Sequence, residues 1–177
     1  MLQQEVTNII CAGIGGTGVI LSSNILANAA FLAGYDVRKS EIHGMSQRGG
    51  SVSSDVRFGK KVYSPMVPDG EADFLIVMHP DELENNLYRL KSDGIVIDIS
   101  LIVGGSRDLS LLNEEKYLPV NQKNFNICLL GALSSYLNIS YECWQNAIFS
   151  NLPKKVHEQN KGVFEYGMKL TESVRAK

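Results

Sequence analysis

Val6-Thr7-Asn8-Ile9-Ile10-Cys11-Ala12-Gly13-Ile14-Gly15-Gly16-Thr17-Gly18 is the stretch on which the reading of this chain turns. Its first seven residues are mostly apolar and rich in β-branched side chains, which predicts a strand buried on both faces, as in a parallel sheet. Beyond Gly18, the apolar residues Val19, Ile20, Leu21, Ile25, Leu26, Ala29, Ala30 and Ala33 recur at spacings of three and four. That spacing predicts a helix packed by one face on the sheet, and Gly34 suits its C-terminal stop. Between strand and helix, Gly13, Gly15 and Gly18 form G-x-G-x-x-G, in the context where the pattern has a mechanism. One glycine permits the tight turn, another lets backbone approach a phosphate, and the helix N-terminus offers N–H groups to an anion. Gly13, Gly15, Gly16, Thr17 and Gly18 are therefore candidate cofactor-binding residues, against the plain alternative of a turn that binds nothing.

Working outward, residues 35–42 read as a second strand, and His43-Gly44-Met45-Ser46-Gln47-Arg48-Gly49-Gly50 follows it. This loop offers an imidazole, a hydroxyl, an amide and a guanidinium, separated by glycines that allow close backbone approach. His43, Ser46, Gln47, Arg48 and Gly49 are candidate ligand or subunit contacts, with Arg48 able to grip a phosphate or carboxylate bidentately. Residues 51–58 alternate with period two, which implies one exposed or partner-covered face. Gly59-Lys60-Lys61 before Val62-Tyr63-Ser64 suggests a hairpin return.

Residues 73–78 and 95–99 predict further strands, with a short helix over 80–90 between them, capped by His79 and Asp81. Residues 117–120 read as a weaker strand, and 124–137, 141–149 and 153–175 as helices. His157 and Glu158 read as part of a solvated face. The expected fold is one α/β domain over 1–177: a three-layer sandwich with a mixed, mostly parallel sheet and a helical C-terminal third from about 124.

A formal net charge of -2 and a sequence pI near 5.9 argue against a nucleic-acid binder that works through a basic surface. No apolar run approaches the roughly 20 residues that span a bilayer, and Met1-Leu2-Gln3-Gln4-Glu5 lacks the pattern of a signal peptide. A cytoplasmic protein is expected. Cys11, Cys128 and Cys143 are far apart and sit among apolar neighbours, a pattern of buried small hydrophobes with no metal or disulfide signature. The glycine pattern leaves open a free-standing NAD(P)-binding oxidoreductase, with Glu41 holding the ribose hydroxyls, although Arg38, Lys39 and Arg48 make its surroundings basic. A non-catalytic nucleotide-binding assembly module is a third reading.

Taken together, the glycine turn and the run from Ser40 through Val52, with His43-Gly44-Met45-Ser46-Gln47-Arg48-Gly49-Gly50 at its centre, resemble the gamma-type domain of 2-oxoacid:ferredoxin oxidoreductases. The nearest match is the beta-subunit type of the indolepyruvate enzymes. The resemblance extends through Asn126-Ile127-Cys128-Leu129-Leu130-Gly131-Ala132-Leu133 and Leu152-Pro153-Lys154-Lys155, with Asn160 and Phe164. It implies a subunit of an enzyme that oxidatively decarboxylates an aryl-pyruvate, with coenzyme A as acyl acceptor and ferredoxin as electron acceptor. Thiamine diphosphate and iron–sulfur clusters are then expected on a larger alpha-type partner, since this chain lacks the GDG-to-NN thiamine signature and cluster cysteines. The resemblance leaves this chain to complete the active-site assembly, and it assigns no catalytic residue.

Overall fold

The computed structural model describes residues 5–44 and 50–175, with side chains through residue 171. Strand β1 (Thr7–Ile14) lies at the centre of a five-stranded sheet that also contains β2 (Asp36–His43), β3 (Ser51–Gly59), β4 (Ala72–Val77) and β5 (Leu90–Asp98). The spatial order is β2-β3-β1-β4-β5. β1 pairs in parallel with β4, and β4 with β5, while β3 runs antiparallel to both β1 and β2. The sheet is mixed and mostly parallel, as expected: β1, β2, β4 and β5 run the same way and β3 runs against them.

The antiparallel hairpin is β2–β3, whose register pairs His43 with Val52, and it closes around the 44–50 loop. The return strand expected at Val62-Tyr63-Ser64 is absent. That segment is irregular because its polar backbone is satisfied elsewhere: the Val62 N–H donates to Asp36 Oδ2 at 2.9 Å, and the Ser64 carbonyl accepts from Arg57 at 3.0 Å. The weak strand expected at 117–120 is likewise a short 3-10 turn (Glu115–Tyr117) followed by an irregular segment.

Both faces of β1 are buried, and its side chains alternate between two cores. Ile9 and Cys11 join the larger core with helices α1 (Val19–Leu32), α4 (Phe125–Ser134), α5 (Tyr141–Asn151) and α6 (His157–Arg175). Ile10 and Ala12 join a smaller core with Val67, Leu75 and Val77, packed beside Leu83 of the six-residue helix α2 (Glu82–Leu87). A short α3 (Ser100–Val103) follows β5. Each fully buried isoleucine is worth about 1.5–3 kcal/mol, so the strand is held by side-chain burial as much as by its hydrogen bonds. The result is a three-layer sandwich whose helical layers are unequal, four long helices on one side and one short helix on the other.

The C-terminal helices dock closely because glycine faces backbone. A Cβ on Gly131 would land on the carbonyl oxygen of Phe164, and one on Gly167 would land on that of Cys128. His157 is not a solvated residue: its ring stacks on Phe149 at 4.4 Å and its Nε2 lies 2.8 Å from the Leu152 carbonyl. Cys11 and Cys128 are buried as expected, and Cys143 is half-buried.

Candidate functional site

The glycine turn lies at the C-terminal edge of β1, where parallel strands of an open α/β sheet leave a crevice. Its glycines divide the work. A Cβ on Gly13 would sit 2.5 Å from Thr17 Oγ1 and 2.8 Å from Val19 Cγ2, so this glycine serves close packing inside the turn rather than approach of a ligand. Gly16 has φ +96° with open space around it, and Gly18 has φ +89° with Asn126 Nδ2 2.6 Å from where its Cβ would be. Thr17 turns inward, both its N–H and its hydroxyl donating to the Ile14 carbonyl at 3.1 and 2.8 Å. The hydroxyl therefore braces the turn.

α1 starts at Val19 with Gly18 as its N-cap and no side-chain cap. The first helical bond runs from Ser22 N–H to the Gly18 carbonyl, at 2.9 Å. The N–H groups of the first turn have no acceptor within the helix, and the helix dipole adds positive potential there. In front of them lies a cleft of about 270 Å³, lined by Ile14, Gly15, Gly16, Gly18, Val19 and Val52 among others.

The second loop meets this turn through its stem. Gly15 N–H donates to the Gly50 carbonyl at 3.0 Å, and Gly44 N–H donates to the Ser51 carbonyl at 2.8 Å. The two stretches singled out in the sequence therefore meet at one edge of the sheet. Ser46, Gln47, Arg48 and Gly49 lie outside the described residues. His43 ends β2 with its side chain exposed and its Nε2 3.4 Å from Glu41 Oε2.

Glu41 does not occupy the position of a ribose ligand. In a dinucleotide fold the acidic residue lies on the parallel strand beside β1; here β3 is inserted between them, so Glu41, paired across to Ser54, stands two strands away from Cys11. Its carboxylate is engaged by Lys39, whose ammonium holds it below the usual carboxylate range, with a further contribution from His43. At α2 the expected caps are half present. Asp81 makes no capping bond with its own side chain, whereas its N–H donates to His79 Nδ1 at 3.4 Å.

Two acidic residues lie behind the second loop; sequence reasoning met Glu82 only within the His79-Pro80-Asp81-Glu82 run and did not single out Asp55. Glu82 is buried in the first turn of α2, and its Oε2 accepts from the hydroxyl of Ser51, at the foot of the loop, at 2.7 Å. Asp55 is fully buried in β3, paired with Arg89 at 2.7 Å while also accepting from Val67 N–H at 2.9 Å. The only sequence signal for Asp55 was an acidic residue in the middle of a strand whose period-two alternation implied one exposed or partner-covered face. That face is covered from within the chain, by α2 and the 60–71 segment.

The sequence model of the pyruvate ferredoxin/flavodoxin oxidoreductase family matches residues 8–170. The chain belongs to this family. Indolepyruvate oxidoreductase subunit IorB of Thermococcus kodakarensis is 33% identical, with 94% of this chain aligned to 96% of that protein. The keto/oxoacid ferredoxin oxidoreductase gamma subunit of Geobacter sulfurreducens shares the fold, with a TM-score of 0.75 over 94% of this chain and 99% of that one, at 23% identity. A 2-oxoglutarate:ferredoxin oxidoreductase from Magnetococcus marinus, solved with 2-oxoglutarate, coenzyme A and succinyl-CoA bound, aligns with 97% of this chain at a TM-score of 0.79 and 22% identity. Only 32% of that longer chain is covered.

No group of three His, Cys, Asp or Glu side chains among the described residues is arranged to hold a metal ion. Burial pushes the Cys11 and Cys128 thiols up to about 12. The glycine edge has open space at Gly16 and borders a cleft lined mainly by glycine backbone and apolar side chains. Among the described residues no helix is long and apolar enough to cross a membrane.

Proposed function

We propose that this chain is the small subunit of a 2-oxoacid:ferredoxin oxidoreductase acting on an aryl-pyruvate of the indolepyruvate type. In the overall reaction the bond between the carboxylate and the keto carbon breaks, carbon dioxide leaves, and the acyl group forms a thioester with coenzyme A. One proton is released and two electrons pass to two one-electron ferredoxin acceptors. Thiamine diphosphate supplies the carbanion chemistry when bound, and we assign it and the iron–sulfur clusters to the larger partner subunit.

The part left to this chain is binding and positioning. The N–H groups at the start of α1 and the open backbone at Gly16 receive phosphate oxygens of coenzyme A, and Arg48 adds a bidentate contact from the adjoining loop. On their chemistry alone we assign His43, Ser46, Gln47 and Gly49 to the same cofactor contact. The observation that carries the reading is the bond from Gly15 to Gly50, which ties the glycine turn to the stem of the loop whose sequence is most specific to the family. The aryl-pyruvate preference rests on the 33% identity to an indolepyruvate oxidoreductase subunit.

The test is reconstitution. The purified chain alone is expected to show no turnover of indolepyruvate, and activity with coenzyme A and a ferredoxin or dye acceptor is expected only with the larger subunit present. In the complex, Arg48→Ala is expected to raise KM for coenzyme A about tenfold, which corresponds to the loss of one charged hydrogen-bonding contact, with a smaller change in kcat. Turnover by the isolated chain, or full turnover by the larger subunit without it, would overturn the reading.

A further inference from the structure

The thin side of the sheet carries a groove that the coenzyme-facing edge does not use. It has a volume of about 300 Å³, is rimmed by Ile42, Met66 and Tyr88, and is floored by Ser53, Glu82 and Asn86. Its rim is more exposed than large apolar side chains ordinarily are: Ile42 is 43% exposed, Met66 53% and Tyr88 64%. Leu87 and Tyr63, from the same α2 and 60–71 segments, are exposed as well. A cluster of this kind marks a surface that another protein covers.

These apolar residues are presented on a rigid support. Arg57 donates to the carbonyls of Ser64 and Met66, both at 3.0 Å, and Asp55 accepts from Val67 N–H while paired to Arg89. Met66 is thereby held outward beside Tyr88, so docking costs little ordering. The groove also has a charge to be answered. Among the described residues, the Glu82 carboxylate, almost fully buried, accepts from neutral donors: Ser51 Oγ at 2.7 Å, Asn86 Nδ2 at 3.4 Å and Asn85 Nδ2 at 3.5 Å. Asp69, also in the lining, has no ion pair among the described residues. Arg89 does not neutralise them, because its guanidinium is already committed to Asp55. An apolar rim over a buried carboxylate with no ion pair among the described residues fits an apolar side chain accompanied by a lysine or arginine.

We propose that this groove is the docking site for a segment of the larger subunit, one that inserts an apolar side chain between Met66 and Tyr88 and directs a basic side chain to Glu82. The proposal rests on the reading of this chain as the small subunit of a two-part enzyme. Because Glu82 also holds Ser51 at the foot of the 44–50 loop, docking here would be coupled to the coenzyme edge through one carboxylate.

The test measures association of the larger subunit with this chain by titration calorimetry and sedimentation. Met66→Ala combined with Tyr88→Ala touches only exposed side chains, and an unchanged thermal midpoint would establish that the variant is folded. We expect it to weaken association at least tenfold. Glu82→Gln, which retains an acceptor for Ser51, is expected to flatten the salt dependence of binding. Wild-type affinity in the double variant would overturn the proposal while leaving the functional reading intact. So would a homodimer of this chain that the double variant dissolves, since the occupant would then be a second copy. Failure of the wild-type chain to bind the larger subunit would instead strike the functional reading itself.

Discussion

Gly15 and Gly50, thirty-five positions apart, are joined by a 3.0 Å hydrogen bond from the N–H of the first to the carbonyl of the second. That bond puts the strand-to-helix turn and the stem of the 44–50 loop at one place. It follows from the register of β1 on β3, which sets Ile14 opposite Ser51. An antiparallel β3 beside β1 is therefore the feature that assembles the edge. It is also what removes Glu41 from the neighbourhood a dinucleotide would need.

Gly16 and Gly18 both have left-handed φ, yet only Gly18 is also confined, by Asn126. Gly16→Ala is expected to lower the unfolding free energy by about 1–2 kcal/mol, from backbone conformation alone. Gly18→Ala is expected to lose about 1–3 kcal/mol beyond that, because the new methyl displaces an Asn126 side chain bonded to Ser22 Oγ at 3.1 Å. Denaturant melts of the two variants check the order; equal losses would show that Asn126 yields freely.

The Asp55–Arg89 pair is buried on both sides, and Asp55 Oδ1 has no hydrogen-bond partner among the described residues. Arg89→Met removes the only cation paired with a fully buried carboxylate, and a loss of about 3–5 kcal/mol is expected. Adding Asp55→Asn, which removes the charge yet can still accept from Val67 N–H, is expected to restore much of it. A double-mutant cycle in urea measures the coupling, and simple additivity of the two losses would refute a coupled buried pair.

Burial raises the Cys11 thiol from an ordinary value of 9.0 to about 12. Above pH 9 the unfolded chain releases that proton while the native chain keeps it, so the thiol's contribution to stability is intact below pH 9 and declines as pH rises toward 12. The decline is up to about 1.4 kcal/mol per pH unit for each such thiol. Cys11→Ala is expected to make the alkaline slope shallower by that amount, as read from urea midpoints between pH 9 and 11. At pH 8 a thiol reagent is expected to label half-buried Cys143 well before Cys11 or Cys128.

Much of the fold was legible in local pattern. Residues 6–12 had to be a strand buried on both faces, because an uninterrupted apolar run has no polar side to turn to water. The helix from Val19 followed from its three-and-four spacing, and its end from Gly34, which has φ +89°. The close packing of the C-terminal helices was foreshadowed by the small residues around Gly131, and the loop of residues 43–50 announced itself by composition. These are properties of the chain's own periodicity and of individual residues' φ preferences, so they survive without knowledge of what packs against what.

What only the tertiary structure decided was strand partnership. Period-two alternation in residues 51–58 told which side chains share a face, but not that the other face would be roofed by α2 and the 60–71 segment. Asp55 therefore carried no assignment of its own, and Glu82 read as one more acidic residue at a helix start. Both became buried because partners remote in sequence, Arg89 for one and Ser51 for the other, supply the compensating bonds. The glycine turn and the second loop were each visible by themselves, but a hydrogen bond between Gly15 and Gly50 exists only once β3 lies antiparallel against β1. Local physics set the elements; pairing across the sheet set which of them meet.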